Sequence, residues 1–282
     1  MNPKVIALDM DGTLLNAENK VTNELLSLLQ DVQQKKDIRL FLASGRTRFE
    51  IDDVLPSGLE PDGIVTANGM GCYMNGNVLF EHKLNPDLVR SAVHKAREAG
   101  LYYEIHPHIG SQFALKKDKG LLERVIESPQ PETLLDNEYL SRKQALNQDI
   151  QWVENLSYDG NVKLYFFSMN PGIIKEWKQS LLTLEESFTF TTSSSTLHNC
   201  EIMEGHVSKA SGIHRLLEEY NFTPEDLMAI GDGENDLPML ELAGYSVAMQ
   251  NAEEVVKRSA DDITEFTYKE NGLYSYLAQK LI

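Results

Sequence analysis

The sequence predicts an α/β protein, a Rossmann-like parallel-sheet core interrupted by an inserted α+β segment. Three observations predict it. Short apolar runs alternate with helical stretches near the start of the chain, the pattern of βαβ units. The same alternation returns after about residue 190. Between them lies a stretch of different texture, with adjacent strands and long polar intervals. We therefore expect a core of residues 1–85 and 191–282 and an α+β insert at 86–190. At 282 residues the chain is longer than one modest core requires.

Val5–Leu8 is a continuous apolar run, as in a strand covered on both faces. Residues 22–36 carry Leu25, Leu26, Leu28, Leu29 and Val32 at helical spacing, with Thr22 as N-cap. Ile38–Ala43 is a second strand, followed by Ser44-Gly45-Arg46 and a helix through Phe49, Ile51 and Val54. Gly63–Ala67 is a third. Asn75-Gly76 between Cys72-Tyr73 and Val78-Leu79-Phe80 marks a hairpin. In the insert, Pro86 suits the first position of a helix running to about Ala99. Leu101–His106, Ser111–Leu115, Val162–Met169 and Ser187–Thr192 read as strands, and Gly172–Leu184 as a helix. Residues 117–160 give weak signals. Beyond the insert, Val207–Tyr220, Asp236–Leu242, Ala252–Lys257 and the tail from Gly272 read as helices, with strands at Leu227–Ile230 and Tyr245–Met249.

The formal net charge of −17 argues against a duplex nucleic-acid binder, which needs a basic face to neutralise phosphates. It does not forbid an anionic ligand, because screening over roughly 8 Å at physiological salt lets a local cation outweigh distant acids. Cys72 and Cys200 have no paired or metal-type spacing, which suits a reducing compartment. No apolar run is long enough for a signal peptide or a membrane span. The expectation is a cytoplasmic protein with no membrane partner; nothing in the sequence bears on oligomeric state.

Four motifs carry chemistry. Asp9-Met10-Asp11-Gly12-Thr13-Leu14 follows the first strand, at the carboxyl edge where parallel sheets bind ligands. Two acids one residue apart repel unless a cation or shared proton compensates. A solvated turn is the bland alternative. A calcium loop fails, because Lys20 stands where its bidentate glutamate belongs. Gly231-Asp232-Gly233-Glu234-Asn235-Asp236 again puts acids at a strand's end, matching either a hard cation or a helix N-terminus. Ser44-Gly45-Arg46 offers a hydroxyl and backbone N–H groups, as a phosphate cradle or a plain N-cap. Lys209 lies near the start of the Val207–Tyr220 helix, where its charge opposes the dipole and suggests a special task; an ordinary exposed lysine is the bland alternative.

With these residues the chain resembles the haloacid dehalogenase (HAD) superfamily, in particular its Cof-type phosphatases with a large α/β cap. Val207-Ser208-Lys209 belongs to the same resemblance, although Ala210 stands where the family usually has glycine. The resemblance implies a hydrolase of small phosphate esters, such as sugar phosphates, with 86–190 as the cap. By that likeness Asp9 is the nucleophile that forms an aspartyl-phosphate, and Asp11 is the general acid and then base. Mg²⁺ is held by the Asp9 carboxylate, the Asp11 carbonyl and Asp232. Lys209, Ser44 and Asn235, with the backbone N–H groups of Met10 and Gly45, hold phosphoryl oxygens. Asp236 supports Lys209 or the metal's waters, and Arg46 reinforces the phosphate site or pairs with an acid. A phosphomutase or phosphotransferase would show the same motifs. A non-catalytic small-ligand sensor on this fold is a further alternative.

Overall fold

Strand β1 (Val5–Leu8) is buried at every residue in the computed structural model, which describes residues 3–134 and 136–281. Helix α1 (Asn23–Lys36) starts where the Thr22 side chain accepts a hydrogen bond from the Leu25 N–H, and it buries Leu25, Leu28, Leu29 and Val32. Strand β2 (Arg39–Ala43) leads to the short α2 (Arg48–Asp52), which opens on a capping box of Thr47 and Glu50. After β3 (Gly63–Thr66) comes the expected hairpin of β4 (Gly71–Met74) and β5 (Asn77–Glu81). Its two turn residues, Asn75 (φ 48°) and Gly76 (φ 78°), both lie in the left-handed region that such turns demand.

The chain then enters the second of two compact units, His82–His206; the first comprises Met1–Glu81 and Val207–Ile282. The second unit contains α3 (Pro86–Glu98), β6 (Tyr102–Pro107), β7 (Phe113–Leu115), α4 (Lys119–Glu127), α5 (Asp136–Gln144), β8 (Gln151–Val153), β9 (Asn161–Phe167), α6 (Pro171–Glu185), β10 (Phe190–Ser193) and β11 (Asn199–Glu204). They form a sheet of order β10-β11-β9-β6-β7-β8. The unit thus reaches beyond 86–190. Strand β11, which the sequence pattern did not mark, pairs with β9 and β10 and so carries this unit to residue 206. Register aligns Glu104 and Glu201 with Tyr165 on one face of this sheet. There Glu104 accepts hydrogen bonds from Arg142 and the Tyr102 hydroxyl, and Lys163 lies 3.0 Å from Glu201.

Back in the first unit the chain forms α7 (Lys209–Tyr220), β12 (Leu227–Gly231), α8 (Leu237–Leu242), β13 (Tyr245–Ala248), α9 (Glu254–Ser259), β14 (Asp262–Ile263) and α10 (Gly272–Leu281). The sheet order is β14-β13-β12-β1-β2-β3-β4-β5, parallel from β14 to β3 and antiparallel beyond. Side chains of β1 alternate between two cores, Ile6 and Leu8 joining the α1 side and Val5 and Ala7 the α7 side. Leu8 is level with Leu42 and Ile230, so β1, β2 and β12 deliver Asp9, Ser44 and Asp232 to one edge. No helix among the described residues is long and apolar enough to cross a membrane.

Candidate active site

Asp9 stands at the tip of β1, its N–H donating to the Ile230 carbonyl and its side chain buried. The chain then turns through Gly12 at φ 84°, and a Cβ there would lie 2.3 Å from Asp232 Oδ2. Only glycine lets the turn approach that carboxylate so closely. Thr13 Oγ1 donates to Asp232 Oδ1 at 2.9 Å. Asn251 Nδ2 donates to both the Gly12 carbonyl and Asp232 Oδ2, each at 3.0 Å, while its Oδ1 accepts from the Tyr268 N–H. Asp232 is thus oriented from two sides.

Lys209, the first residue of α7, is fully buried. Its Nζ donates to Asp9 Oδ1 and Asp236 Oδ1, each at 2.5 Å. The other oxygen of Asp236 accepts from the N–H groups of Asp232 and Gly233 at 2.9 Å. Asp236 therefore orients both the lysine and the β12 loop. A cation at a helix start opposes the dipole, and the two carboxylates offset that cost.

Asp9, Asp232 and Asp236 each present a carboxylate oxygen, all within 4.8 Å of one another. Three carboxylates against the single ammonium of Lys209 leave a net charge of −2 when all are ionised. The protein answers with protonation: burial, then the charge of Asp236, pushes Asp9 up to about 7 against the pull of Lys209. Burial and the charges of Asp9 and Asp236 likewise raise Asp232. Burial disfavours the Lys209 ammonium, yet Asp236 and Asp9 outweigh it and raise its pKa. A hard-oxygen donor set with this excess negative charge fits a divalent cation.

Asp11 does not join that cluster through its side chain. Arg46 holds it in a two-pronged ion pair, Nε to Oδ2 at 2.9 Å and NH2 to Oδ1 at 2.7 Å. Neighbouring protein partly desolvates Asp11, but the guanidinium outweighs this and holds the carboxyl below its ordinary value. Ser44 is fully buried at the end of β2, its Oγ accepting from the Arg46 N–H at 3.1 Å, with Gly45 between them. The Met10 side chain is buried and its carbonyl accepts from the Leu15 N–H. Asn235 donates from Nδ2 to Asn68 Oδ1 at 3.1 Å. The structure thus brings Asp9, Asp232 and Lys209 together and sets Asp11 with Arg46. Sequence reasoning missed Thr13, Asn68 and Asn251 as partners of these residues. Thr13 lay inside a motif already noted, whereas Asn251 sits on a loop with no distinguishing pattern.

The pattern that defines haloacid dehalogenase-like hydrolases matches residues 6–277. The chain belongs to this family. Among the relatives of this haloacid dehalogenase-like hydrolase is the 5-amino-6-(5-phospho-D-ribitylamino)uracil phosphatase YwtE of Bacillus subtilis, 27% identical over 99% of this chain and 98% of YwtE. Phosphatase YwpJ of the same organism is 28% identical over 96% of this chain and 97% of YwpJ. A haloacid dehalogenase-like hydrolase structure from B. subtilis superposes with TM-score 0.82, at 25% identity, covering 99% of this chain and all of the other.

Proposed function

We propose that the protein is a magnesium-dependent phosphatase that hydrolyses small phosphorylated metabolites through an aspartyl-phosphate at Asp9. The observation that carries this reading is the buried Asp9 carboxylate, bonded by Lys209 and close enough to Asp232 to share a cation with it. Asp9, Asp232 and the Asp11 carbonyl would hold the Mg²⁺, which when bound neutralises the excess carboxylate charge and that of the phosphoryl group.

An Asp9 oxygen attacks phosphorus as the bond from phosphorus to the leaving oxygen breaks, and Asp11 gives its proton to that oxygen. Asp11 then takes a proton from water, the water oxygen attacks phosphorus, and the Asp9–phosphorus bond breaks to release inorganic phosphate. Lys209, Ser44, Asn235 and the N–H groups of Met10 and Gly45 hold the phosphoryl oxygens. A proton on Asp11 removes the charge that pairs with Arg46, so this two-pronged contact weakens when Asp11 carries the proton that it donates. We read the second unit as the family's cap, the part that selects the leaving group. Two relatives, YwtE and YcsE of B. subtilis, are named for a phosphorylated ribityl compound, which makes phosphorylated polyols the first substrates to try.

The test is a phosphate-release screen over phosphorylated metabolites with and without Mg²⁺, using Asp9→Asn as control. Turnover that needs Mg²⁺ and vanishes in the variant supports the reading; full activity in Asp9→Asn overturns it. Adding sugar acceptors and finding transferred rather than free phosphate would instead identify a phosphotransferase.

A further inference from the structure

Three consecutive residues between β3 and β4 have left-handed backbones: Ala67 at φ 46°, Asn68 at φ 54° and Gly69 at φ 108°. Glycine adopts this region freely and asparagine tolerates it, but alanine does not, so the loop is strained. Strain of this kind persists only where surrounding contacts over-determine it.

Those contacts reach three of the segments assigned above to the phosphoryl group, the Ser44–Arg46 turn, the start of α7 and the loop that carries Asn235. The Ala67 N–H donates to the Arg46 carbonyl at 2.7 Å and the Asn68 N–H to the Ser44 carbonyl at 2.9 Å, so the loop is tied to the Ser44–Arg46 turn. Gly69 lies against the residue that precedes Lys209, and a Cβ on it would fall 2.2 Å from the Ser208 carbonyl oxygen. The Asn68 side chain, itself buried, takes a hydrogen bond from Asn235 Nδ2. On the other side of that amide, Asn235 Oδ1 sits 2.5 Å from where a Cβ of Gly233 would be, space that only glycine leaves.

We propose that Asn68 is a positioning residue which, through its side-chain carbonyl, fixes the orientation of the Asn235 amide. An amide can present either its oxygen or its nitrogen, and the two faces have opposite meanings for an anion. The Asn68 oxygen binds one Nδ2 hydrogen, which leaves the second for a phosphoryl oxygen and turns the repulsive Asn235 carbonyl toward Gly233. The strained loop is the brace that holds this acceptor in register with the Ser44 turn and the start of α7. This inference rests on the phosphatase reading, in which Asn235 contacts phosphate.

A double-mutant cycle tests it. Asn68→Gly removes the side chain while accepting the backbone angle, and it is combined with Asn235→Ala, using p-nitrophenyl phosphate with Mg²⁺. Asn68→Gly is expected to lower kcat/KM about 10-fold, the low end for losing a residue's orienting partner. In the Asn235→Ala background the same change should cost nothing further, because its route of action is gone. A second readout is the rise in melting temperature that inorganic phosphate with Mg²⁺ produces. It should shrink in Asn68→Gly, even if that variant melts lower on its own. Losses that multiply in the double variant, or an Asn68→Gly enzyme with normal kcat/KM and a normal phosphate-induced rise, overturn the proposal. Full activity in Asn235→Ala overturns the assignment of Asn235 and this inference with it. Loss of all activity in Asp9→Asn would meanwhile leave the phosphatase reading standing, so the two failures are distinguishable.

Discussion

Replacing Lys209 with methionine keeps a long, unbranched side chain in the same buried space but deletes the ammonium. Asp9 and Asp236, both buried, then lose the donor that each contacts at 2.5 Å. Removing one partner of a buried ion pair typically costs 3–5 kcal/mol, and Asp9 can relieve part of this by taking a proton, so we expect a loss of about 3 kcal/mol at pH 7 without metal. The loss should be smaller near pH 4.5, where Asp9, raised to about 7, carries its proton and no longer needs the lysine's charge. Urea unfolding followed by far-ultraviolet circular dichroism at both pH values measures it. Trp152 and Trp177, the two tryptophans of the chain, both lie in the second unit, so their fluorescence reports that unit separately. A loss under about 1 kcal/mol at pH 7, or one identical at the two pH values, would refute the view that Lys209 neutralises this cluster.

Other outcomes follow from the same geometry. Asp9 has a raised pKa in the folded state, about 7 against an ordinary 3.8, so the folded state binds more protons than the unfolded one between these values. Metal-free protein should therefore lose stability as pH rises from about 4 to 7, and saturating Mg²⁺ should flatten that fall; urea midpoints across pH measure both. In the second unit, burial alone would raise Glu104, but Arg142 and His106 hold it down at about 2. Its contribution is present above its ordinary 4.5 and fades as pH drops toward 2, and Glu104→Gln should remove this acid limb while costing about 3 kcal/mol at pH 7 by leaving Arg142 unpaired. Asn251→Ala frees one side of Asp232 and should weaken Mg²⁺ binding about 10- to 100-fold, read by calorimetry. Gly12→Ala forces a Cβ into the Asp232 carboxylate and should abolish phosphate release even where circular dichroism shows a folded chain.

Much of the core was legible because its physics is local. Short apolar runs such as Val5–Leu8, bounded by polar residues and too short for a helix, suit doubly covered strands, and Asn75-Gly76 marks its own turn. The placing of Asp9, Asp232 and Ser44 at one sheet edge was readable because each follows a core strand of a parallel sheet. The limits of the insert were less legible. Strand β11 carries Asn199 and Glu201 among its apolar residues, and its place beside β9 depends on pairing across more than thirty residues. Asn68 and Asn251 were invisible for a related reason, because their partners Asn235 and Asp232 come from other loops and neither asparagine has a pattern of its own. The Asp11–Arg46 pair was readable only as one of two options, since charge alone does not say which acid an arginine meets.

The contact between Lys209 and Asp9 joins residues 200 positions apart, with the whole second unit between them. A ribosome that has released only the first two hundred residues has therefore made Asp9 without the ammonium that stabilises its carboxylate, and β1 without its neighbour β12. Closing so long a loop adds little entropy, since that cost grows only with the logarithm of length. The order of synthesis is what bites: a chain truncated before residue 207 leaves β1 with an unpaired edge that other chains can capture. The buried cluster and the closed sheet thus arrive together, when the last quarter of the polypeptide is added.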